Sequence, residues 1–401
     1  MDQKEIYLIV PHLMKQQTWG GDYIPTCKGI VDHPLVTGRK IGQSYELFGG
    51  SKLIPSAWLP KNKHRFFEFY KRSKSLALFL PHETRHISLV DLIADDPKGV
   101  LGANIAQKTN NTMPILIKFT QAQGNSFQLH VKEKHESETW KAKPETWYFL
   151  GDGLITLGLK PGADLKKFKK ICQKTEDYMQ EMSKRLKNKT QKMIETRRLV
   201  ATYINRRDPW QFVNCLKVKK GWVVDLSSGG IHHSWEEDKE KLPQGNLVYE
   251  IQLDRSDEKS TLRCFDKGKI KYGGGIRDLQ IADYFKYLDS SPKTNDPKQM
   301  IRQPEDMPPK SNQGQEIYLF ENPHYKLHKI VLPAGQAYKG QTKGSFQHLF
   351  VESGSVEITS CTDTTKKLKL LSSWSAFCPA CLGEYQIQAL KQDTVILKTF
   401  I

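Results

Sequence analysis

The chain has 401 residues, 38% of them hydrophobic and 10% aromatic, which is enough for two domains with sizeable cores and too apolar for a disordered protein. Its formal net charge of +17 points toward anionic partners, yet fifteen Lys and Arg against six Asp and Glu fall between Lys160 and Asp208, so much of the excess is one local run. No aromatic-interleaved binding motif accompanies that run, which argues against nucleic acid and for a basic surface that attracts small anionic substrates.

No stretch approaches the roughly 18–20 uncharged apolar residues of a membrane span, and the N-terminus, Met-Asp-Gln-Lys-Glu, has no signal-peptide profile. Seven cysteines scattered over the length suit a reducing compartment better than a disulfide framework. The sequence therefore reads as cytoplasmic. Cys378-Pro-Ala-Cys381 is the one C-x-x-C, with no second pair and no helix pattern after it.

In chain order, Ile6 to Val10 reads as a strand broken by Pro11, and Trp19-Gly20-Gly21 as a tight bend. Ile41 to Phe48 is a second strand, closed by Gly49-Gly50. Ser88 to Ala94 reads as a short helix with Ser88 as N-cap and Asp91 at capping-box spacing. Pro114 to Thr120 is a buried strand interrupted by Lys118, a costly residue there unless it snorkels or faces an anion site.

Residues 125–131 alternate strictly, with Phe127, Leu129 and Val131 on one face and Ser126, Gln128 and His130 on the other. An amide oxygen and an imidazole thus point the same way at metal-ligand reach. Glu145, Trp147 and Phe149 share a face of the next strand. Gln128, His130 and Glu145 would offer a divalent ion two oxygens and one nitrogen.

The period then changes. Asp164 to Asn205 carries apolar residues at helical spacing and ends at Asp208-Pro209, which makes a basic helical insertion. Strands resume at 212–218, 221–226, 247–252 and 261–266, and Arg277 to Asp289 reads as a helix. Residues 290–314, with five prolines, read as a linker. Ile317 to Ile401 is a second all-β block whose strands are split by Gly335, Gly340, Gly344, Gly354 and Gly383.

Gly221-x5-Ser227-x-Gly229-x2-His232 resembles the second cupin motif, in which a strand leads through a tight turn to a metal-binding histidine. The spacing selects His232 over His233. With it, the chain resembles the type I phosphomannose isomerases (mannose-6-phosphate isomerases), two-cupin zinc enzymes. The likeness runs through Trp-Gly-Gly at 19–21, Gly-Gln-Ser-Tyr-Glu at 42–46 and Pro-Ile-Leu-Ile-Lys at 114–118. It continues in Ser-Phe-Gln-Leu-His at 126–130, Lys-Pro-Glu-Thr-Trp-Tyr at 143–148, Val-Tyr-Glu-Ile-Gln at 248–252 and Leu-Arg at 262–263. Each motif is weak singly; eight in the right order are strong.

The resemblance implies a mainly β fold of two cupin (jelly-roll β-barrel) domains. Residues 1–289 would form the catalytic cupin, with the basic helical insertion at about 160–208. Residues 290–314 would link it to a second cupin at 315–401. That half would be metal-free, since Phe346-Gln-His348 and Glu352 keep part of a metal motif and Glu384 stands where histidine would bind. The resemblance further implies one Zn2+ per chain on Gln128, His130, Glu145 and His232. Lys143, Arg263 and Glu250 would be catalytic, with Glu250 the candidate base, and Lys118 and Ser126 would bind a hexose phosphate.

Such a set suits the interconversion of mannose 6-phosphate and fructose 6-phosphate. A base must remove a weakly acidic proton beside a carbonyl, and cations must meet the developing enediolate. The residues alone leave Arg263 open as a rim salt bridge and Glu250 open as a hydrogen-bond partner of a ligand histidine. They also leave open another sugar phosphate, or a non-catalytic sugar-binding cupin. His130-Val-Lys-Glu stands where the family usually has His-Pro-Asp-Asp, Lys143-Pro-Glu145 replaces Lys-Thr-Glu, and 256–263 is two residues longer than the common form. The oligomeric state is not encoded in these motifs.

Overall fold

The computed structural model describes residues 4–16, 18–34, 36–59, 68–71, 75–79, 86–227, 229–234, 240, 242–304 and 316–401, with the backbone alone at 68–71 and 75–79. The chain is mainly β, and among the described residues its antiparallel strands form four sheets of eight, nine, five and four strands. Alternation along each strand decides which sheet face meets which neighbour, and the sheets stack accordingly.

The four-stranded sheet, which includes Ala337–Gln341, Ser355–Ser360 and Glu384–Ala389, packs Val356, Ile358 and Ile387 onto Leu349 and Val351 of Gln347–Ser353 in the eight-stranded sheet. The other face of Gln347–Ser353 turns Phe350 toward Phe119 and Tyr249 of the nine-stranded sheet, with ring centroids 5.7 and 5.3 Å apart. Behind those strands lies the five-stranded sheet, which includes Phe127–Leu129, Gly153–Leu159, His232–Ser234 and Leu262–Phe265. Helices Leu165–Lys187, Met193–Arg207 and Ile281–Tyr287 pack Phe168, Met179, Ile204 and Tyr284 into one apolar cluster with Phe127, Leu129 and Phe265 of that sheet.

The two ends of the chain meet. Tyr7–Val10 pairs with Ser375–Cys378 on one side and Lys52–Pro55 on the other, so the N-terminal strand joins the sheet of the C-terminal block. Buried polar contacts cross between the sheets as well. Lys28 pairs with Glu46 at 2.9 Å, and Glu46 accepts from Ser375 Oγ at 2.8 Å.

Several sequence expectations take a different local form. The helix Leu89–Asp95 starts after Ser88, but the Ser88 side chain caps nothing; Asp96 instead caps the next helix through Gly99 N at 2.8 Å. The basic insertion is two helices, with Asp164 capping the first by accepting from Lys167 N. The helix expected over 277–289 is confined to Ile281–Tyr287, because the N–H of Gln280 is taken by the Arg263 carbonyl at the sheet edge. The described part of 290–314 holds short helices Pro292–Asn295 and Pro297–Met300, each with proline in its first turn, and the strand Ile301–Arg302. The rest of that segment lies outside the described residues. Gly340 sits inside a strand rather than between strands, since a Cβ there would come within 2.2 Å of the Tyr385 ring. Among the described residues no helix is long and apolar enough to cross a membrane.

Candidate metal centre

Three neighbouring strands carry a row of directly opposed residues. Gln128 pairs with His232 on one side and Arg263 on the other, so the three side chains leave their sheet on one face. The nine-stranded sheet answers with a second row, Trp147 opposite Glu250 and Glu250 opposite Lys118. Strand periodicity places Glu145, Thr120 and Gln252 on that same face, while Tyr148, Tyr249 and Phe119 take the other.

His130, Glu145 and His232 converge between these rows. Each offers one ligand atom, the three atoms all lie within 4.8 Å of one another, and all three residues are buried. His130 Nδ1 donates to the Ser260 carbonyl at 2.8 Å, because a carbonyl can only accept. In the neutral ring Nε2 is then bare, and it stands 3.1 Å from Glu145 Oε2. Burial, followed by the Lys143 charge, pushes the His130 imidazole below its ordinary value. Burial would raise Glu145, but the Lys143 charge outweighs it and holds the carboxyl well below the usual carboxylate range. A lone pair and an anionic oxygen therefore face each other with no proton between them.

Trp147 Nε1 donates to Glu145 Oε1 at 2.7 Å, which leaves Oε2 toward His130 and Lys143. Neither ring nitrogen of His232 makes a hydrogen bond of good geometry, and burial, aided by His130, pushes the ring down to about 3. Orphaned buried imidazole nitrogens are rare and costly. A divalent cation held by His130, Glu145 and His232 would take the bare His130 Nε2 and one of the two His232 ring nitrogens, and this donor set suits zinc. Gln128 Nε2 donates to Ser126 Oγ at 3.2 Å, which leaves the amide oxygen as a further donor beside His232. His233 turns to the opposite face, edge-on to Phe127 at 5.1 Å with Nδ1 3.3 Å from Thr156 Oγ1.

A cleft of about 230 Å³ opens beside the cluster, with Gln128 and Arg263 on one wall and Lys118, Lys143, Glu145 and Glu250 on the other. Lys118 Nζ donates to Glu250 Oε1 at 2.8 Å and Gln252 Oε1 at 2.7 Å, and Thr120 Oγ1 donates to Glu250 Oε2 at 3.1 Å. The hydrogen bonds of Glu250 go to Lys118 and Thr120 rather than to a histidine. Burial pushes its carboxyl up against the opposing pull of Lys118. Ser126 is fully buried beneath Gln128 and is not among the residues lining the cleft.

Asp257 organises the remaining cations. It binds Lys143 Nζ at 3.0 Å through Oδ1 and Arg263 Nη2 at 3.3 Å through Oδ2, so the salt bridge left open for Arg263 is present. Arg263 Nη1 also donates to the Thr261 carbonyl at 3.1 Å, and its Nε has no partner. The Lys143 charge holds the Asp257 carboxyl far below the usual range. Sequence reasoning missed Asp257 because it lies on the short helix Asp257–Ser260, where no periodicity gives a face. Thr120 and Gln252 carried a signal, as each stands two residues beyond a singled-out residue on the same strand face. In the second block, His348 Nδ1 meets Tyr249 OH at 2.9 Å, while Glu352 accepts from Tyr148 OH at 2.8 Å and pairs with Lys220 at 3.1 Å. Both serve the contact between sheets. Cys381 lies in the turn Ala380–Leu382.

Fold and site together define a mainly β protein with a buried His/Glu/His cluster beside a cationic cleft. No protein-family model and no curated protein sequence matches the chain. Solved structures are similar over nearly its whole length. The mannose 6-phosphate isomerase from Bacillus subtilis is 15% identical, with a TM-score of 0.64 over 98% of this chain and 99% of that one. A point variant of phosphomannose isomerase from Salmonella typhimurium is 14% identical, with a TM-score of 0.62 over 98% and 99%. A zinc-bound mannose 6-phosphate isomerase is 13% identical, with a TM-score of 0.63 over 99% of each chain. At these identities the likeness is one of fold, and that fold is the cupin fold of the phosphomannose isomerases.

Proposed function

We propose that the chain is a zinc-dependent aldose–ketose isomerase that interconverts mannose 6-phosphate and fructose 6-phosphate. The observation that carries this reading is the convergence of His130, Glu145 and His232 within 4.8 Å beside a cleft lined by Lys118, Lys143, Glu250 and Arg263. One ion per chain would sit on His130, Glu145 and His232 with Gln128, where it would supply positive charge to orient substrate oxygens.

The protein groups divide the remaining work. Glu250 is the base that moves the proton between neighbouring carbons, and its elevated pKa brings it closer to the operating range of a general base. Lys118 and Thr120 fix its two oxygens. Arg263 and Lys143 meet the oxygens that gain charge in the enediolate, and Asp257 positions both. Lys118 completes substrate binding from the cleft wall, whereas Ser126, expected to bind substrate, instead holds the Gln128 amide whose oxygen would face the ion. In the same reading residues 1–289 form the catalytic cupin, 290–314 the linker and 315–401 a metal-free cupin.

Metal analysis of the purified protein together with a coupled isomerase assay tests this. About one zinc per chain and turnover lost on chelation is the expected result. Turnover that survives exhaustive chelation overturns the metal role, and bound zinc without turnover on any hexose phosphate overturns the enzyme.

A further inference from the structure

Beside the insertion helix Met193–Arg207 runs an open groove whose charged lining is Lys40, Arg197, Lys267, Lys269 and Lys271. No acidic side chain lines it. The loop that carries Lys271 rests on the end of the other insertion helix. There Ser183 Oγ donates to the Gly274 carbonyl at 2.6 Å, and a Cβ on Gly274 would come within 3.0 Å of Leu186 Cβ. The groove therefore runs on to the turn between the two helices. From Lys184 to Arg198 that turn and its flanks carry seven Lys and Arg against one acid, Glu195.

The backbone that presents these charges is fixed. Asp266 to Lys269 closes a tight turn through Lys269 N and the Asp266 carbonyl, with Lys267 at φ 55° and Gly268 at φ 70°. A Cβ on Gly268 would come within 2.4 Å of Val200 Cγ1, so the turn is pressed onto the helix Met193–Arg207. Lys269 Nζ is held by the Gly124 carbonyl. Five like charges crowded into one groove repel one another, a cost that an anionic partner removes.

An aromatic ring stands in the same groove. Tyr272 is 79% exposed, which no core role explains, and the Arg197 guanidinium lies 5.9 Å from its ring centroid. The basic run of the sequence has no aromatic residue interleaved for stacking, yet the fold supplies one from a loop far downstream.

From the acid-free groove and the ring within it, we propose that this face binds single-stranded nucleic acid. The phosphates follow Arg197, Lys40 and Lys271 toward the turn between the helices, and a base stacks on Tyr272. A duplex keeps its bases stacked on one another and offers none to the ring. A flat lipid surface would leave the groove unfilled, although Ile194, 80% exposed and one helical turn before Arg197, would suit it. The proposal stands apart from the isomerase reading, since Lys269 alone lines both groove and cleft.

Fluorescence anisotropy of a labelled uridine strand of about 12 nucleotides, titrated with the full chain, tests this. Affinity should fall steeply with salt. Arg197→Gln/Lys271→Gln should weaken binding roughly tenfold at about 0.15 M salt and reduce the slope of log affinity against log salt by about 1.4, as two lost phosphate contacts require. Tyr272→Ala should weaken binding by about 5- to 150-fold, the range for one lost stacked base, and leave the slope unchanged. Lys339→Gln/Lys343→Gln removes the same charge from the C-terminal block and should change neither. All five side chains are exposed, so each variant should fold, and turnover should be unchanged. No salt-dependent binding by the native chain, or equal weakening by the C-terminal variant, overturns the proposal. A duplex that binds as tightly overturns the single-strand assignment. Phosphatidylserine vesicles that bind the chain when the strand does not overturn it in favour of a lipid surface.

Discussion

Gln128 and His232 are direct cross-strand partners, and that single pairing joins their strands. The register has a sharp consequence, because a one-residue slip would send His233 into the cleft and His232 into the apolar layer beside Phe127. His232→Ala should therefore abolish tight metal binding and lower turnover by roughly a hundredfold or more, as expected for loss of a ligand. His233→Ala should keep its metal and lose about 1–3 kcal/mol of stability through lost packing on Phe127. Metal content and thermal unfolding of the two variants decide this, and the reverse pattern refutes the register.

Trp147 acts on the centre through one hydrogen bond, Nε1 to Glu145 Oε1 at 2.7 Å. Trp147→Phe keeps most of the ring and removes the donor, so the Glu145 carboxylate is free to rotate. Metal affinity should fall by about 10–100-fold, measured by chelator competition, while the unfolding temperature changes little. Unchanged affinity would mean that packing alone orients the carboxylate.

Strand periodicity brought Gln128, His130 and Glu145 together before any coordinates, while His232, Lys143, Glu250 and Arg263 came only from the family resemblance. Gln128 beside His130, Lys118 in a buried run and Glu145 with Trp147 are all i, i+2 or same-face statements, and a strand obeys them without help from elsewhere. The sheet order is another matter. That Tyr7–Val10 would add to the sheet carrying Ser375–Cys378 follows from long-range register, which local pattern does not contain. Asp257, the residue tying Lys143 to Arg263, lies on one turn of helix with no apolar face to read. The buried quartet of Glu316, His328, Tyr338 and Lys398 was hidden for the same reason, since its members come from four separate strands.

The carboxyl of Glu250 is raised by burial and restrained by Lys118. As a base it must be ionised, so turnover should fall as pH drops through an apparent pKa above the ordinary 4.5 of a glutamate. Lys118→Met removes the main group favouring the ionised form. The acid limb of log kcat/KM should then move to higher pH, by about one unit for each 1.4 kcal/mol of lost interaction. Glu250→Gln should abolish the limb together with most of the activity. An acid limb that stays in place in Lys118→Met would remove Glu250 from the role of base.

Glu316 provides a stability test with the opposite sign. Burial would raise its carboxyl, but the bond from His328, the Lys398 charge and the Tyr338 hydroxyl bring it down to about 2 from an ordinary 4.5. A carboxyl with a lowered folded-state pKa stabilises the fold above its unfolded value and loses that contribution as pH falls. The loss should begin near pH 4.5 and run toward pH 2, with a total on the order of 3 kcal/mol from a shift of this size. Glu316→Gln should start with a lower unfolding temperature at pH 7, since Lys398 is left buried without its counter-charge. It should then lose less on acidification than the native chain does. Thermal unfolding of both proteins at pH 7 and pH 3 measures the difference, and parallel acid losses would show that the quartet holds no ionised carboxylate.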